Sequence, residues 1–171
     1  MSSSFSLTGT DLTTDRLLLR PWSTGEIIAV LDDVRQPHWA EDFPTEGDRV
    51  IAGFIVKQPD ARGEYGQRLI VERESGLTVG AIGLFWPPVD GAVEFGYGIV
   101  ESRRGRGYAT EAARAIVAFA LTGPGVHTVH AEVELSNPAS VRVLEKTGLR
   151  RLGGDGTTAR YGTTAPDLPQ R

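Results

Sequence analysis

The 171-residue chain is long enough to bury a core of its own without covalent staples, and its 40% hydrophobic and 23% charged residues are those of an ordinary soluble protein. It contains no cysteine, which excludes disulfides, thiolate metal sites and a cysteine acyl-enzyme and fits a reducing, cytoplasmic setting. A net charge of −4 with a pI near 5.4 argues against a nucleic-acid partner, and no run approaches membrane-spanning length.

Met1–Ser4 lacks the basic start and apolar stretch of a secretory leader, and residues 1–10 read as a loose tail. Leu17–Arg20 reads as a short strand stopped by Pro21. Ser23-Thr24-Gly25-Glu26 has the pattern of a capping box and predicts a helix over about 24–33. A loop rich in large residues follows from Gln36 to Pro44. Thr45 with Asp48 marks a second cap, and Val50, Ile51, Phe54 and Ile55 then recur at helical spacing. Arg68–Glu72 and Thr78–Phe85 read as strands around a Glu74-Ser75-Gly76 turn. Pro87–Gly91 reads as a second turn leading to a strand over Val93–Val100, so the three form an antiparallel meander.

A helix over Ala109–Leu121 carries Ala112, Ala113, Ile116, Val117, Phe119 and Ala120 on one arc, with Glu111 and Arg114 opposite. Val126–Glu134 is another strand. Asn137 caps a helix with Pro138 at its first position, and Gly148 ends it. Leu149–Leu152 and Ala159–Thr163 can form a last hairpin, and residues 165–171, with two prolines, read as a loose end. No repeat or linker divides the chain, so one domain over 1–171 is expected, with its core at about 14–163. The order β-α-α-β-β-β-α-β-α-β-β is a mixed α/β layer, not an alternating doubly wound sheet.

Chemistry is most legible in Arg103-Arg104-Gly105-Arg106-Gly107-Tyr108-Ala109-Thr110-Glu111, between a strand and an apolar helix. Two glycines let the backbone approach a ligand, the helix start adds free N–H groups and a positive dipole end, and three arginines add charge. Together these predict a seat for a polyphosphate. In Val93–Val100, alternation puts Phe95, Tyr97 and Ile99 on one face and Glu94, Gly96, Gly98 and Val100 on the other. Two glycines beside a lone carboxylate suggest a ligand close to the backbone. On the helix after Asn137, Ser140, Val141, Leu144 and Thr147 share the asparagine's side, while Arg142, Glu145 and Lys146 take the other. Asn137 is accounted for as a cap; a hydroxyl at Ser140 among apolar neighbours needs a partner.

Other chemistries lack their residues. His127 and His130 have no acidic or cysteine partners at ligand spacing, so no metal is expected. There is no Gly-x-Ser-x-Gly elbow and no Gly-Lys-Ser/Thr of a P-loop, and Thr110 stands where a dinucleotide fingerprint has its third glycine. Trp39, Phe43 and Trp86 read as core or loop anchors.

The chain resembles the GNAT N-acetyltransferases, and within them the branch of bacterial ribosomal-protein N-terminal acetyltransferases. Arg104-Gly105-Arg106-Gly107-Tyr108-Ala109 is similar to the superfamily's Q/R-x-x-G-x-G/A acetyl-coenzyme-A signature, and Gly105–Ala112 fits the branch's extended form. Thr14–Arg20 resembles its first strand; Asn137–Ser140 and Glu145–Leu149 resemble its later helix. The resemblance spans about 14–163. It implies a GNAT fold: a mostly antiparallel sheet, flanked by helices, in which the family's fourth and fifth strands splay apart. It implies that Arg104, Gly105, Arg106, Gly107, Tyr108 and Ala109, with Thr110, hold the coenzyme A diphosphate. Ile99 and Val100 would pair with the pantetheine arm, and Asn137 would contact it from the other side. An N–H of the splayed strand would polarise the acetyl carbonyl. Glu94 is then the candidate base, acting through water, on an amine that must lose a proton before attack. Many relatives place a tyrosine seven residues after the asparagine as acid for the thiolate. Here that position is Leu144, and Ser140 is the candidate substitute.

The implied activity is direct acetyl transfer from acetyl-CoA to a primary amine in a ternary complex. The acceptor is a protein N-terminus, an amino sugar, a polyamine or another small amine, and no metal, nucleic acid or membrane is involved. Acceptor entry is expected at Gln36–Phe43, at Trp86–Asp90 and at the final hairpin; Glu41, Asp42, Glu46 and Asp48 could attract a cation. A monomer and a homodimer are equally compatible with the sequence. Two other readings stay open: a non-catalytic acetyl-CoA sensor, and a phosphate-binding module unrelated to coenzyme A.

Overall fold

A computed structural model describes residues 5–8 and 10–163. Its elements are β1 (Ser6–Thr8), β2 (Asp11–Thr13), β3 (Leu17–Pro21), α1 (Thr24–Leu31), α2 (Glu46–Lys57), β4 (Gln67–Glu72), β5 (Thr78–Val89), β6 (Ala92–Ile99), α3 (Tyr108–Ala120), β7 (Thr128–Glu134), α4 (Pro138–Lys146), β8 (Arg150–Gly154) and β9 (Thr158–Gly162). The strands form one mixed sheet in the order β1-β2-β3-β4-β5-β6-β7-β9-β8. Every neighbouring pair is antiparallel except β6 and β7. The α/β layer with its mostly antiparallel sheet is the expected one.

Both capping boxes form as the sequence predicts. The Ser23 hydroxyl accepts from the Glu26 N–H while the Glu26 carboxylate accepts from the Ser23 N–H, and Thr45 with Asp48 does the same for α2. Helix α1 stops at Leu31, two residues early, because Asp33 adopts left-handed backbone (φ 58°), which a helix cannot continue through. On α2, Ile55 and Ala52 are buried but Val50 is exposed, so the apolar stripe is narrower than the spacing suggested.

Two other departures concern the strands. Part of the N-terminal segment expected to be loose forms the β1–β2 hairpin, which extends the sheet beyond β3, with Leu12 fully buried. Met1–Ser4 and residues 165–171 lie outside the described residues. Strand β5 runs through Pro87 and Pro88, where a turn was expected; the turn is Asp90-Gly91 alone. The prolines are tolerated because the β5–β6 register is interrupted between Phe85 and Val89, so no ladder bond needs their missing N–H. There Trp86 stacks on Tyr65 at 4.4 Å, and Tyr65 stacks on Phe119 of α3 at 5.0 Å.

One hydrophobic cluster joins the sheet to the helices. Ala112, Ala113 and Ala115 are fully buried and let α3 lie close against β5 and β6. Under it the Arg68 guanidinium, with no exposed surface, donates to the carbonyls of Thr10, Leu19 and Glu64; burial lowers its pKa to about 10.

The feature that positions the site is a break in pairing. β6 and β7 are in register only over Ala92–Glu94 and Thr128–His130. Beyond that, β6 stays with β5 as far as Ile99 and β7 stays with β9 as far as Glu134, so the two strands part.

Candidate active site

The loop before α3 is built for close approach to a ligand. Gly105 (φ 79°) and Gly107 (φ 83°) both take left-handed backbone, which costs an L-residue roughly 1–2 kcal/mol. Gly107 is the N-cap of α3 and supplies no side-chain hydrogen bond, so the first N–H groups of the helix have no side-chain acceptor. That is the arrangement that takes up anionic oxygens.

The three arginines expected to give this loop free charge are mostly used to hold its shape. Arg106 donates to Glu72 at 3.0 Å, and the Arg103 Nε lies 3.6 Å from the other Glu72 oxygen. Arg104 donates from Nε to the Ile99 carbonyl at 3.0 Å. Glu72 is almost completely buried at the end of β4 and also accepts from Ser75 (2.6 Å) and Tyr108 (2.7 Å). Burial alone would raise its carboxyl, but the Ser75 and Tyr108 hydroxyls and the two guanidinium groups hold it below the ordinary range. The Tyr108 phenol is pushed up by its burial and by that bond.

A second brace comes from the β2–β3 turn. The Glu111 carboxylate accepts from the Thr14 hydroxyl (2.6 Å), the Arg16 N–H (2.8 Å) and Arg16 Nε (2.7 Å). Arg16 also donates to the Arg106 carbonyl (2.7 Å) and covers the Tyr108 ring at 4.7 Å. Burial would raise Glu111, and the Thr14 and Arg16 bonds outweigh it, leaving its pKa lowered. Sequence reasoning placed Glu111 opposite the apolar arc of the helix and gave it no partner. The only signal for the brace was that Thr14–Arg20 and Gly105–Ala112 both matched one family.

From this loop a cleft of about 470 Å³ runs between β6 and α4. Of the anticipated ligand-binding residues, Ile99, Arg104, Gly105, Gly107, Tyr108, Ala109, Thr110 and Asn137 line it, together with Ser140. Arg106 does not, being turned to Glu72. Val100 does not either: it is fully buried, and its N–H donates to the Val79 carbonyl of β5 at 2.9 Å. Since alternate residues of a strand aim their amides at opposite edges, Ile99 and Tyr97 aim theirs at the gap. Arg142 and Lys146 also line the cleft, although helical spacing put them on the far side of α4. Both are exposed and make no ion pair among the described residues, so the free positive charge of the cleft comes from the flank of α4 as well as from Arg104.

At the deep end Tyr97 meets Ser140, with the phenolic oxygen 2.5 Å from Ser140 Oγ. The Ser140 N–H donates to Asn137 Oδ1 at 3.2 Å, so the cap predicted for Asn137 is present and Ser140 has the partner its position called for. Sequence alternation placed Tyr97 on the Phe95–Ile99 face, correctly, but gave its phenol no partner.

Glu94 stands apart from the cleft lining, at the last registered pair before the strands separate, opposite His130. Burial raises its pKa and the nearby Glu132 raises it further, against the pull of Arg160, which pairs with Glu132 at 2.7 Å. His130 is lowered by burial and by Arg160, against the pull of Glu132. The bare strand face around Glu94 is only partly open. A Cβ at Gly96 would meet the Phe85 ring at 3.3 Å, whereas one at Gly98 would meet nothing within 4 Å. The acidic loop groups expected to attract a cation are largely committed elsewhere. Asp42 accepts from the Ser102 N–H (2.9 Å) and hydroxyl (2.7 Å), and Asp48 is buried in its capping box. Trp39 and Phe43 of that loop are buried, 5.3 Å apart edge to face. Among the described residues no cluster of three or more His, Cys, Asp or Glu could hold a metal ion, and no helix is long and apolar enough to cross a membrane.

Residues 16–150 match the acetyltransferase (GNAT) domain family, and the chain belongs to it. It is 32% identical over 96 residues to the uncharacterized N-acetyltransferase YjdG of Bacillus subtilis, a match covering 56% of each chain. It is 26% identical over 147 residues to YnaD of the same organism, covering 83% of this chain and 84% of the relative. Among solved structures, an acetyltransferase from Agrobacterium tumefaciens superposes with a TM-score of 0.66 at 26% identity, over 96% of this chain and 98% of that one. The ribosomal L7/L12 acetyltransferase RimL, solved with coenzyme A, shares the fold at 16% identity, with a TM-score of 0.65 over 88% of this chain and 94% of its own.

Proposed function

We propose that the protein transfers an acetyl group from acetyl-CoA to a primary amine by direct attack in a ternary complex. The observation that carries this reading is a cleft with an uncapped, glycine-bared helix start at one end and the Tyr97–Ser140 hydroxyl pair at the other. A diphosphate on the amides after Gly105 and Gly107 directs the pantetheine arm along β6, where Ile99 and Tyr97 aim main-chain groups into the gap. Asn137 presents the amide end of its side chain from α4, its Oδ1 being held by the Ser140 N–H. The thioester then lies where β6 and β7 part.

Glu94 reaches that opening from the opposite face of β6. An alkylammonium has a pKa near ~10.4 and must be deprotonated before attack. A carboxylate raised by burial and by Glu132 is better matched to that task than an ordinary one. An N–H of the parted β6 edge stabilises the oxyanion of the adduct. Ser140 faces the departing thiolate and supplies its proton. A serine in that role also agrees with the resemblance to ribosomal-protein N-terminal acetyltransferases, which makes a protein N-terminus the first acceptor to try. The test is thiol release from acetyl-CoA across a panel of peptide N-termini, polyamines and amino sugars. Release that depends on one amine class supports the reading. Binding of coenzyme A without release favours the sensor, and no binding at millimolar concentration overturns both.

A further inference from the structure

Ser140 alone is a weak choice of acid. A serine hydroxyl is an alcohol, and alcohols give up protons far less readily than a thiol, whose reference pKa is ~8.5. Transfer from an isolated serine to a thiolate therefore runs uphill. The contact that changes this is the phenol of Tyr97, 2.5 Å from Ser140 Oγ and 3.4 Å from the Ser140 carbonyl. Both side chains line the cleft, and Tyr97 projects from β6 on the face opposite Glu94.

On the reading proposed above, we infer that Tyr97 is the source of the proton that Ser140 passes to the departing thiolate. As the tetrahedral adduct collapses, the C–S bond breaks and its electron pair stays on sulfur. The Ser140 proton moves to sulfur while the serine oxygen takes the phenolic proton of Tyr97. The phenolate regains a proton from solvent before the next turnover. Two protons leave the amine nitrogen through Glu94 and one reaches sulfur, so one proton is released per acetylation. A phenol, with a reference pKa of ~10, is far closer to a thiol in acidity than a serine is. Burial of Tyr97 raises it, and the Ser140 bond opposes that rise, so the contact with Ser140 offsets part of what burial costs the phenol as a donor. The position also explains how this chain does without a tyrosine on α4: Leu144 occupies that place and is fully buried, so the hydroxyl arrives from the strand instead.

Tyr97 acts through Ser140 and is thus a positioning and relay residue, and its test must separate relay from packing. The variants are Tyr97→Phe, Ser140→Ala, the double substitution and Ser140→Thr, assayed by thiol release with the best amine of the panel. Expected are about ten-fold or greater losses of kcat in each single variant, with KM for acetyl-CoA within about two-fold. The double variant loses no more than the worse single one, and Ser140→Thr, which keeps a hydroxyl, recovers most of the rate. An active wild type whose Tyr97→Phe variant keeps its kcat overturns the relay. So does a double variant whose loss is the product of the two single losses, or a Tyr97→Phe defect confined to KM. Absence of thiol release from the wild type with every amine would instead sink the transfer reading, and the relay with it.

Discussion

The brace between Arg16 and Glu111 gives the most direct test of the diphosphate seat, because it touches the loop without lining the cleft. Arg16→Ala removes a hydrogen bond to the Arg106 carbonyl, an ion pair to Glu111 and the cover over Tyr108. The Arg16 side chain is 48% exposed, so the ion pair itself contributes about 0–1 kcal/mol. The charge-assisted bond to the carbonyl is worth at most ~1.5–3 kcal/mol, reduced by the same exposure. A combined loss of ~1–2 kcal/mol, if it falls on the ordered loop, weakens coenzyme A binding by roughly five- to thirty-fold. Glu111→Gln should behave similarly but more mildly, since an amide oxygen can still accept from Thr14 and from the Arg16 N–H. Calorimetric titration of coenzyme A reads the effect directly, and the melting temperature reports the fold. A dissociation constant within two-fold of wild type in both variants, alongside a lowered melting temperature, would show that the brace serves the fold alone. The pH dependence has a definite sign. Glu111 is lowered in the folded protein relative to its reference value of 4.5, so its contribution to stability is complete above about that pH. It is lost as the pH falls through the lower folded value.

Other expectations follow from the same geometry. Glu94→Gln lowers turnover most below neutral pH, where solvent deprotonates little of the amine, and leaves coenzyme A affinity nearly intact; an unchanged pH–rate profile removes Glu94 from the mechanism. Because Glu132 raises Glu94 and Arg160 opposes it, Glu132→Gln should move the acid limb of that profile to lower pH, and a limb that stays or rises contradicts the assignment of the limb to Glu94. Removing Arg142 and Lys146 together should weaken coenzyme A by roughly five- to ten-fold at low salt, from two exposed charges at up to ~1 kcal/mol each, with the difference shrinking at high salt. Equal affinities at low salt would mean that the flank of α4 does not face the phosphates. Arg68→Leu strips charged donors from three carbonyls and should cost roughly 3 kcal/mol or more in urea unfolding, whereas a loss below 1 kcal/mol would mean that those carbonyls find other donors.

What the sequence made legible is what local chemistry dictates. A serine three residues before a glutamate states its capping bonds in the chain itself, and Gly105 and Gly107 announce backbone that other residues resist. The parts that escaped are set by partners distant in the chain. Three-residue strands such as β1 and β2 are too short for a period-two pattern, and they exist because β3 offers an edge. The charges of Arg103 and Arg106 looked free because Glu72, more than thirty positions away, is invisible as a neighbour until β4 and the loop pack together. Helical spacing sorted α4 into polar and apolar sides correctly at Leu144. It missed that a ligand cleft along the flank of the helix can claim Arg142 and Lys146 without burying them.

The arrangement around β6 follows from parity. Glu94 and Tyr97 are three residues apart, an odd separation, so in an extended strand they must face opposite sides. In a sheet paired along its length, groups so placed could not act on one substrate, because the ladder would wall them off from each other. Here β7 leaves β6 immediately after Glu94, and the unpaired edge from Phe95 onward is an opening through the sheet. On the proposed mechanism, a base on one side and a hydroxyl pair on the other can therefore serve the two ends of a single transfer, with the amine arriving over Glu94 and the thiolate departing toward Ser140. The same parity explains why replacing the α4 tyrosine by Leu144 need not remove the acid. The strand already projects a phenol into the cleft, within hydrogen-bond reach of Ser140.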